Sequence, residues 1–485
     1  MLIRSLFYLI LTLTVAFAAG PTIVFEEYFK DQSLRIDYFH IGDAREETIT
    51  IDQIYVEPKW PGSTVHLIYP FGYGRYGVKV YNISSNQLIY SKGFDCMFGE
   101  YKTTTPALDG VQRTFQRSLR IPMPLRPILL VIELRDKDNI PKPIFKQRID
   151  PNDYHILRET ASAGEDQIFT IVSNGDCHRK VDLVFLAEGY RLADQDKFVK
   201  DVNSISESLF AIEPFKSQRS SFNIHAVLRP SPETGVDQPR EQDYRKTAFN
   251  ASFNAFDVDR YLLTEEGFRI QQAAGQAPCD ALAILVNHSR YGGGGIFNDY
   301  CISTVDNERS KMVFAHEFGH SFGGLADEYY SSEVAYNDFY PHGVEPPEPN
   351  ITALLDPAKI KWQGLLSPGI AIPTEYGKEK RDSLNLALQK NNAQRREALK
   401  ARPENKKLLE QYDRKEQQIR KELDAVKKQY HHLEDKVGVF EGAGYSTKGL
   451  YRPMIHCLMI HHPQNQFCLV CQKAIEQMID YYCGR

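Results

Sequence analysis

The chain has no excess of positive charge. Among its 485 residues, 58 are Lys or Arg and 63 are Asp or Glu, a formal net charge of -5. A nucleic-acid partner, which needs a basic face, is therefore not expected. Nor does any apolar run beyond the N-terminus reach the roughly 18 residues of a membrane-spanning helix, so the mature chain should have no stable transmembrane segment. No Cys stands near the end of the N-terminal apolar run, which excludes a lipoprotein anchor. What is there is ordinary: 42% hydrophobic and 25% charged residues, the balance of a soluble globular protein. The length exceeds one ordinary core and implies two or three domains.

The first residues are read apart from the fold. Arg4 gives a positive start, Leu6 to Phe17 is almost wholly apolar, and Ala16-Phe17-Ala18 fits a small-x-small cleavage pattern. Residues 1–19 are expected to be a signal peptide, so the protein should be secreted or periplasmic. Export bears on the cysteines Cys96, Cys177, Cys279, Cys301, Cys457, Cys468, Cys471 and Cys483, the last four of which crowd the final 29 residues. An oxidising compartment favours disulfides, of connectivity that spacing does not give; a structural zinc knot around Cys468-x-x-Cys471 is the alternative.

The pattern along the chain changes twice. Residues 20–160 read as an all-β, sandwich-like domain. Glu47 to Val56, Val65 to Tyr69, Val78 to Asn82 and Ile128 to Leu134 are rich in β-branched and aromatic residues, with Gly and Pro between them. A link is expected through Ser162–Glu165 and Ser173–Asp176. Residues 165–485 then alternate strands (Val181 to Leu186, Phe222 to Leu228, Ala281 to Val286) with helix (Asp194 to Ile212), the pattern of an α/β or α+β domain. Within it, residues 378–436 carry dense charge of both signs, divided by Pro403. Ile419, Leu423, Val426, Tyr430 and Leu433 step by four and three, so this stretch reads as a helical hairpin inserted in the domain. It is a solvated spacer or, in a sharper reading, an arm that docks a partner or substrate.

The chemistry lies in His316-Glu317-Phe318-Gly319-His320. Residues four apart share a helical face, so His316 and His320 can meet one Zn²⁺ ion, and Glu317 is placed to act as general base on a water. Gly323 should stop the helix and let the chain bring back a third ligand. Asp327 is the first candidate for it and Glu328 the second.

From His316 to Gly323 the sequence resembles the metzincin motif His-Glu-x-x-His-x-x-Gly-x-x-His/Asp. The longer string HEFGHSFGGLADEY (316–329), with VDLVFLAEGY (181–190), YGGGGIFN (291–298), FEGAGY (440–445) and YRP (451–453), resembles peptidase family M64, the IgA-peptidase-like bacterial metallopeptidases. The resemblance covers roughly residues 165–485, and an N-terminal β domain of this kind accompanies that family. It implies a metzincin-like zincin fold and a secreted, zinc-dependent endopeptidase acting on protein or peptide substrates. It also implies a Met-turn at Cys457-Leu458-Met459, with Met454 as the weaker alternative, and a substrate-pairing edge strand near Tyr291 to Phe297. The oxyanion-stabilising tyrosine would be Tyr445 or Tyr329. One departure stands out: the position of the third metzincin ligand is Ala326, which binds no metal, and Asp327 follows it. The competing function is a catalytically inactive secreted or cell-surface binding protein on the same fold. The intact set of His316, Glu317 and His320 favours the enzyme. The physiological substrate and the oligomeric state are not given by the sequence.

Overall fold

A computed structural model of the chain describes residues 23–158, 166–330, 334, 339–401, 406–460 and 466–485. The proposed signal peptide at 1–19, the Ser162–Glu165 link and Pro403 lie outside these described residues.

Alternation of apolar and polar residues shapes the first part. Its strands are β1 (Phe29–Gly42), β2 (Glu47–Glu57), β3 (Tyr76–Asn82), β4 (Gln87–Phe94), β5 (Arg113–Pro124), β6 (Ile128–Arg135), β7 (Pro141–Ile149) and β8 (Leu157–Arg158). Short helices α1 (Phe25–Tyr28), α2 (Met97–Tyr101) and α3 (Thr105–Leu108) join them. The strands form two four-stranded sheets, ordered β5-β1-β2-β8 and β4-β3-β6-β7. In β3, Tyr76, Val78 and Val80 are buried while Gly77, Lys79 and Tyr81 are only partly so, the period of two expected of a sheet with one core face. Leu34, Ile36, Val78, Val80, Leu130 and Ile132 belong to one continuous core.

The stretch Val65–Tyr69, expected as a strand, forms none. Pro61 and Pro70 bracket it and deny a ladder its donors. Its residues are used singly instead. The Leu67 carbonyl accepts from Ser91 N–H at 2.9 Å, and the Tyr69 ring meets Tyr481 at 5.6 Å.

The second part comprises β9 (Gln167–Val172), β10 (Val181–Glu188), α4 (Gln195–Leu209), β11 (Phe222–Leu228), α5 (Gly267–Ala274), β12 (Ala281–Val286), β13 (Gly293–Ile296), β14 (Tyr300–Thr304) and α6 (Ser310–Gly323). It continues with α7 (Lys378–Ala401), α8 (Lys406–Gln429), β15 (Phe440–Ala443), β16 (Ser446–Arg452) and α9 (Leu469–Cys483). A six-stranded sheet runs β13-β14-β12-β10-β11-β9. Its inner strands pair in parallel, and β9 and β13 close the edges antiparallel. Every residue of β10 is buried, including Asp182 and Glu188 at either end of the apolar run Leu183–Ala187. Val184 and Leu186 face the core shared with the first part, whereas Leu183 and Phe185 face α4, α6 and α9. The architecture is thus two domains, one of β-sheets and one of mixed α/β character. Ser173–Asp176 is not an interdomain link. It turns the chain from β9 into β10 within the six-stranded sheet, because Gln167–Val172 already pairs with β11.

Helices α7 and α8 pack on each other through Leu384, Ile419 and Leu423. Leu433 beyond them is buried elsewhere, with Tyr376, Phe440 and Ile455.

Candidate metal centre and its cleft

Helix α6 carries two stripes. Phe314, Phe318 and Phe322 follow one another at four-residue spacing and stack at 5.8 and 5.1 Å between ring centroids. They pack into the core under the sheet, Phe314 against Phe185 at 5.6 Å. This burial fixes the rotation of the helix, since i and i+4 share a face. His316, Glu317 and His320 are thereby turned toward a cleft of about 350 Å³. The helix ends one residue later than the sequence suggests. Gly323 is still helical, and Gly324 takes the left-handed conformation (φ 63°) with its N–H directed at the Gly319 and His320 carbonyls. A Cβ there would also approach the Phe297 ring to 3.0 Å.

After this turn Asp327 returns to the histidines. Its Oδ1 lies 3.1 Å from His316 Nε2 and 3.4 Å from His320 Nε2, and the two Nε2 atoms are 3.2 Å apart. The other ring nitrogens settle the tautomers. His316 Nδ1 is 3.0 Å from the Leu458 carbonyl and His320 Nδ1 is 2.6 Å from the Leu325 carbonyl. A carbonyl only accepts, so both Nδ1 atoms carry the hydrogen and both Nε2 lone pairs face the same point. Asp327 Oδ1 is buried with no hydrogen-bond donor among the described residues, while Oδ2 accepts from Tyr445 Oη at 2.7 Å. Three acceptor atoms crowded together without a donor call for a cation between them. Two imidazoles and a carboxylate suit zinc, and the backbone and Tyr445 contacts are the outer partners such ligands need.

The electrostatics carry the same message. Burial opposes charge on His320, but Asp327 outweighs it and raises the imidazole to about 9. His316 is raised in the same way, burial again opposing and Asp327 prevailing. Burial likewise works against the Asp327 carboxylate, yet the two imidazoles hold it well below the usual range. In the absence of a metal ion, protons would supply the positive charge this site demands. Glu317 shifts the other way: burial pushes its carboxyl up, although both histidines pull it down. A ligand-type atom of Glu317 lies within 4.8 Å of those of His316 and His320.

The loop between Gly324 and Asp327 is held by a residue no motif marks. Asn350 Oδ1 accepts from Ala326 N–H at 2.8 Å, and Asn350 Nδ2 donates to the Ala326 carbonyl at 2.9 Å. Ala326, where the metzincin pattern has its ligand, is thus a fixed backbone support. Glu328 faces away from the histidines. It is fully buried, with Oε1 accepting from Asn350 Nδ2 at 3.0 Å and lying 3.2 Å from Cys471 Sγ. Met459 lies against α6 beneath the histidines, since a Cβ on Gly319 would stand 2.9 Å from its Sδ. Met454 sits elsewhere in the same core. Of the two tyrosines, Tyr445 holds Asp327, and Tyr329 Oη accepts from Arg260 Nη2 at 3.3 Å. Arg260, in the cleft wall, is a second residue that sequence reasoning missed, because an isolated Arg carries no spacing signal.

The Gly292–Gly295 run is neither a break nor a loose loop. Its last three residues begin the edge strand β13, laid directly on α6. A Cβ on Gly295 would come within 2.4 Å of the Glu317 carbonyl oxygen, so only glycine allows the strand this close to the helix.

The family model of the IgA peptidase M64 matches residues 169–479, and that of the peptidase M64 N-terminus matches residues 24–146. No curated protein matches the chain. The first match covers well over half of the sequence, and the chain belongs to the peptidase M64 family.

Proposed function

We propose that this M64 peptidase is an exported, zinc-dependent endopeptidase in which His316, His320 and Asp327 hold the ion and Glu317 is the general base. The observation that carries the reading is the convergence of His316 Nε2, His320 Nε2 and Asp327 Oδ1 within 3.1 to 3.4 Å of one another, with no donor among them. When bound, the ion supplies Lewis-acid chemistry: it acidifies a water and polarises the scissile carbonyl. The protein does the rest. The Leu458 and Leu325 carbonyls keep both imidazoles in the tautomer that presents Nε2. The Glu317 carboxylate takes a proton from the attacking water and passes it to the leaving amine. Such proton transfer is worth about a hundred- to ten-thousand-fold in rate. An extended substrate would pair along β13, the edge of the sheet beside the cleft, in the manner of an added strand.

The same reading gives the second domain a metzincin-like character, with Met459 as its Met-turn residue. It treats α7 and α8 as an arm inserted in that domain, and residues 1–19 as a leader removed on export. The test is elemental analysis with a casein or peptide-library assay on the mature protein purified without chelator. Zinc present, activity lost to a chelator and restored by zinc is the expected result. Activity that survives complete removal of zinc would defeat the proposal.

A further inference from the structure

Four side chains on the far side of the Asp327–Glu328 loop form a second convergent group. Glu328, Cys457, Cys468 and Cys471 are all buried, and one ligand-type atom from each lies within 4.8 Å of the others. Cys457 Sγ is 3.7 Å from Cys471 Sγ. Glu328 Oε1 is 3.2 Å from Cys471 Sγ and 3.9 Å from Cys468 Sγ. Zinc–sulfur bonds of about 2.3 Å and zinc–oxygen bonds of about 2.0 Å at tetrahedral angles give edges of about 3.8 Å between sulfurs and about 3.5 Å between sulfur and oxygen. The observed separations straddle these values.

Two further observations point to a cation. Glu328 is fully buried, and its Oε2 has no hydrogen-bond partner among the described residues, although a buried carboxylate normally satisfies both oxygens. The sulfurs, in turn, receive backbone N–H groups. Cys468 N donates to Cys457 Sγ at 3.3 Å, and Cys471 N to Cys468 Sγ at 3.5 Å. Cys468 caps α9, so two of the sulfurs stand at the positive end of a 15-residue helix. These N–H groups and the helix end complement negative charge on the sulfurs, against the cost of burying it, and a bound divalent ion would supply the remainder.

We propose that Cys457, Cys468, Cys471 and Glu328 form a second metal site, a closed structural centre for a thiolate-preferring divalent ion, zinc by the softness and number of its ligands. Each thiol releases its proton on binding. A disulfide between any two of the cysteines would leave the third sulfur outside the bridge and Glu328 Oε2 still without a partner among the described residues. With four protein ligands and full burial the site has no open position, so it holds structure and does not react. What it holds is specific. Glu328 N–H donates to the Met459 carbonyl at 2.9 Å, and the Cys457–Met459 turn supplies the Leu458 carbonyl to His316. The second site therefore pins the loop that delivers Asp327 and the turn beneath the histidines to the start of α9.

The test counts zinc in the full chain, expressed with added zinc and purified without chelator. Wild type should carry two zinc ions per chain and the His316→Ala/His320→Ala variant one. X-ray absorption of that variant should show a zinc shell dominated by sulfur, and cobalt exchanged into it should show sulfur-to-metal charge-transfer absorption. Cys468→Ser/Cys471→Ser should lose the sulfur-bound ion; where that variant does not fold, the histidine variant alone decides. A histidine variant without zinc, or with zinc lacking sulfur neighbours, overturns the proposal. So does a disulfide among the three cysteines, found by alkylation and mass spectrometry without reductant. One zinc per chain, all of it sulfur-bound, in both wild type and histidine variant would instead sink the catalytic centre and leave this site standing.

Discussion

Asp327 and Glu328 are neighbours in the chain and serve opposite sides of it. Asp327 Oδ1 lies 3.1 Å from His316 Nε2, and Glu328 Oε1 lies 3.2 Å from Cys471 Sγ. One short loop thus supplies a carboxylate to each of two clusters.

Glu317→Gln should retain zinc at the histidines while hydrolysis falls by about a hundred- to ten-thousand-fold, since only the proton acceptor is lost. Metal analysis beside kcat on a peptide substrate checks both halves. A variant that keeps most of its rate with zinc in place would refute the general-base role.

Asp327→Ala should weaken zinc at the histidine site and lower activity together. It removes a ligand and also leaves Tyr445 Oη without its acceptor. Losing one ligand of three should weaken the site by at least the 10- to 100-fold seen for outer partners. Competition against a chromogenic chelator measures this. Tight zinc and full activity in Asp327→Ala would move the third ligand elsewhere.

Gly295→Ala should impair both folding and activity. The new Cβ would meet the Glu317 carbonyl at 2.4 Å, forcing β13 off α6 beside Glu317. Overpacking of this kind costs about 1–3 kcal/mol. Thermal unfolding and kcat/KM should fall together; an unchanged melting temperature would contradict the close approach of strand and helix.

Glu47 gives a pH-dependent test in the first domain. Burial opposes its charge, but the bonds from His40 and Lys102 prevail and lower its carboxyl to about 2 from an ordinary 4.5. A depressed folded-state pKa contributes stability that is fully present above about 4.5 and lost as the pH falls toward 2. Glu47→Gln should thus cost about 1–3 kcal/mol at pH 7, with the difference from wild type shrinking steadily below pH 4.5. Denaturant unfolding at several pH values reads it. A difference that does not change with pH would rule out the charge as its source.

The α7–α8 arm should be dispensable above its base. Leu384, Ile419 and Leu423 bury mainly one another, whereas Leu433 packs with Tyr376 and Phe440 in the domain. Packed helices run about 8–10 Å apart, so a short Gly/Ser link can replace residues 384–424 and leave Leu433 in place. Zinc content and the melting temperature of the remainder should stay near wild type. Loss of zinc would show that the arm belongs to the core.

The sequence by itself determined what local periodicity controls. His316 and His320 share a face because a helix repeats every 3.6 residues, and the aromatic stripe of Phe314, Phe318 and Phe322 fixes which face is buried. The largely apolar runs of β10, β11 and β12 marked buried strands for the same local reason. Tertiary structure decided everything that depended on a distant partner. Val65–Tyr69 has the residues of a strand but meets β4 only at Ser91, without a ladder. The sequence ranks Asp327 before Glu328 as a ligand but does not aim either side chain; Asn350, Tyr445 and the start of α9 choose their directions. Cys457 and Cys471 approach to 3.7 Å only because the Met459 turn and α9 meet behind α6. Helix and strand periods act over a few residues and are written in the chain, while the aim of a loop side chain is set by contacts made tens of residues away.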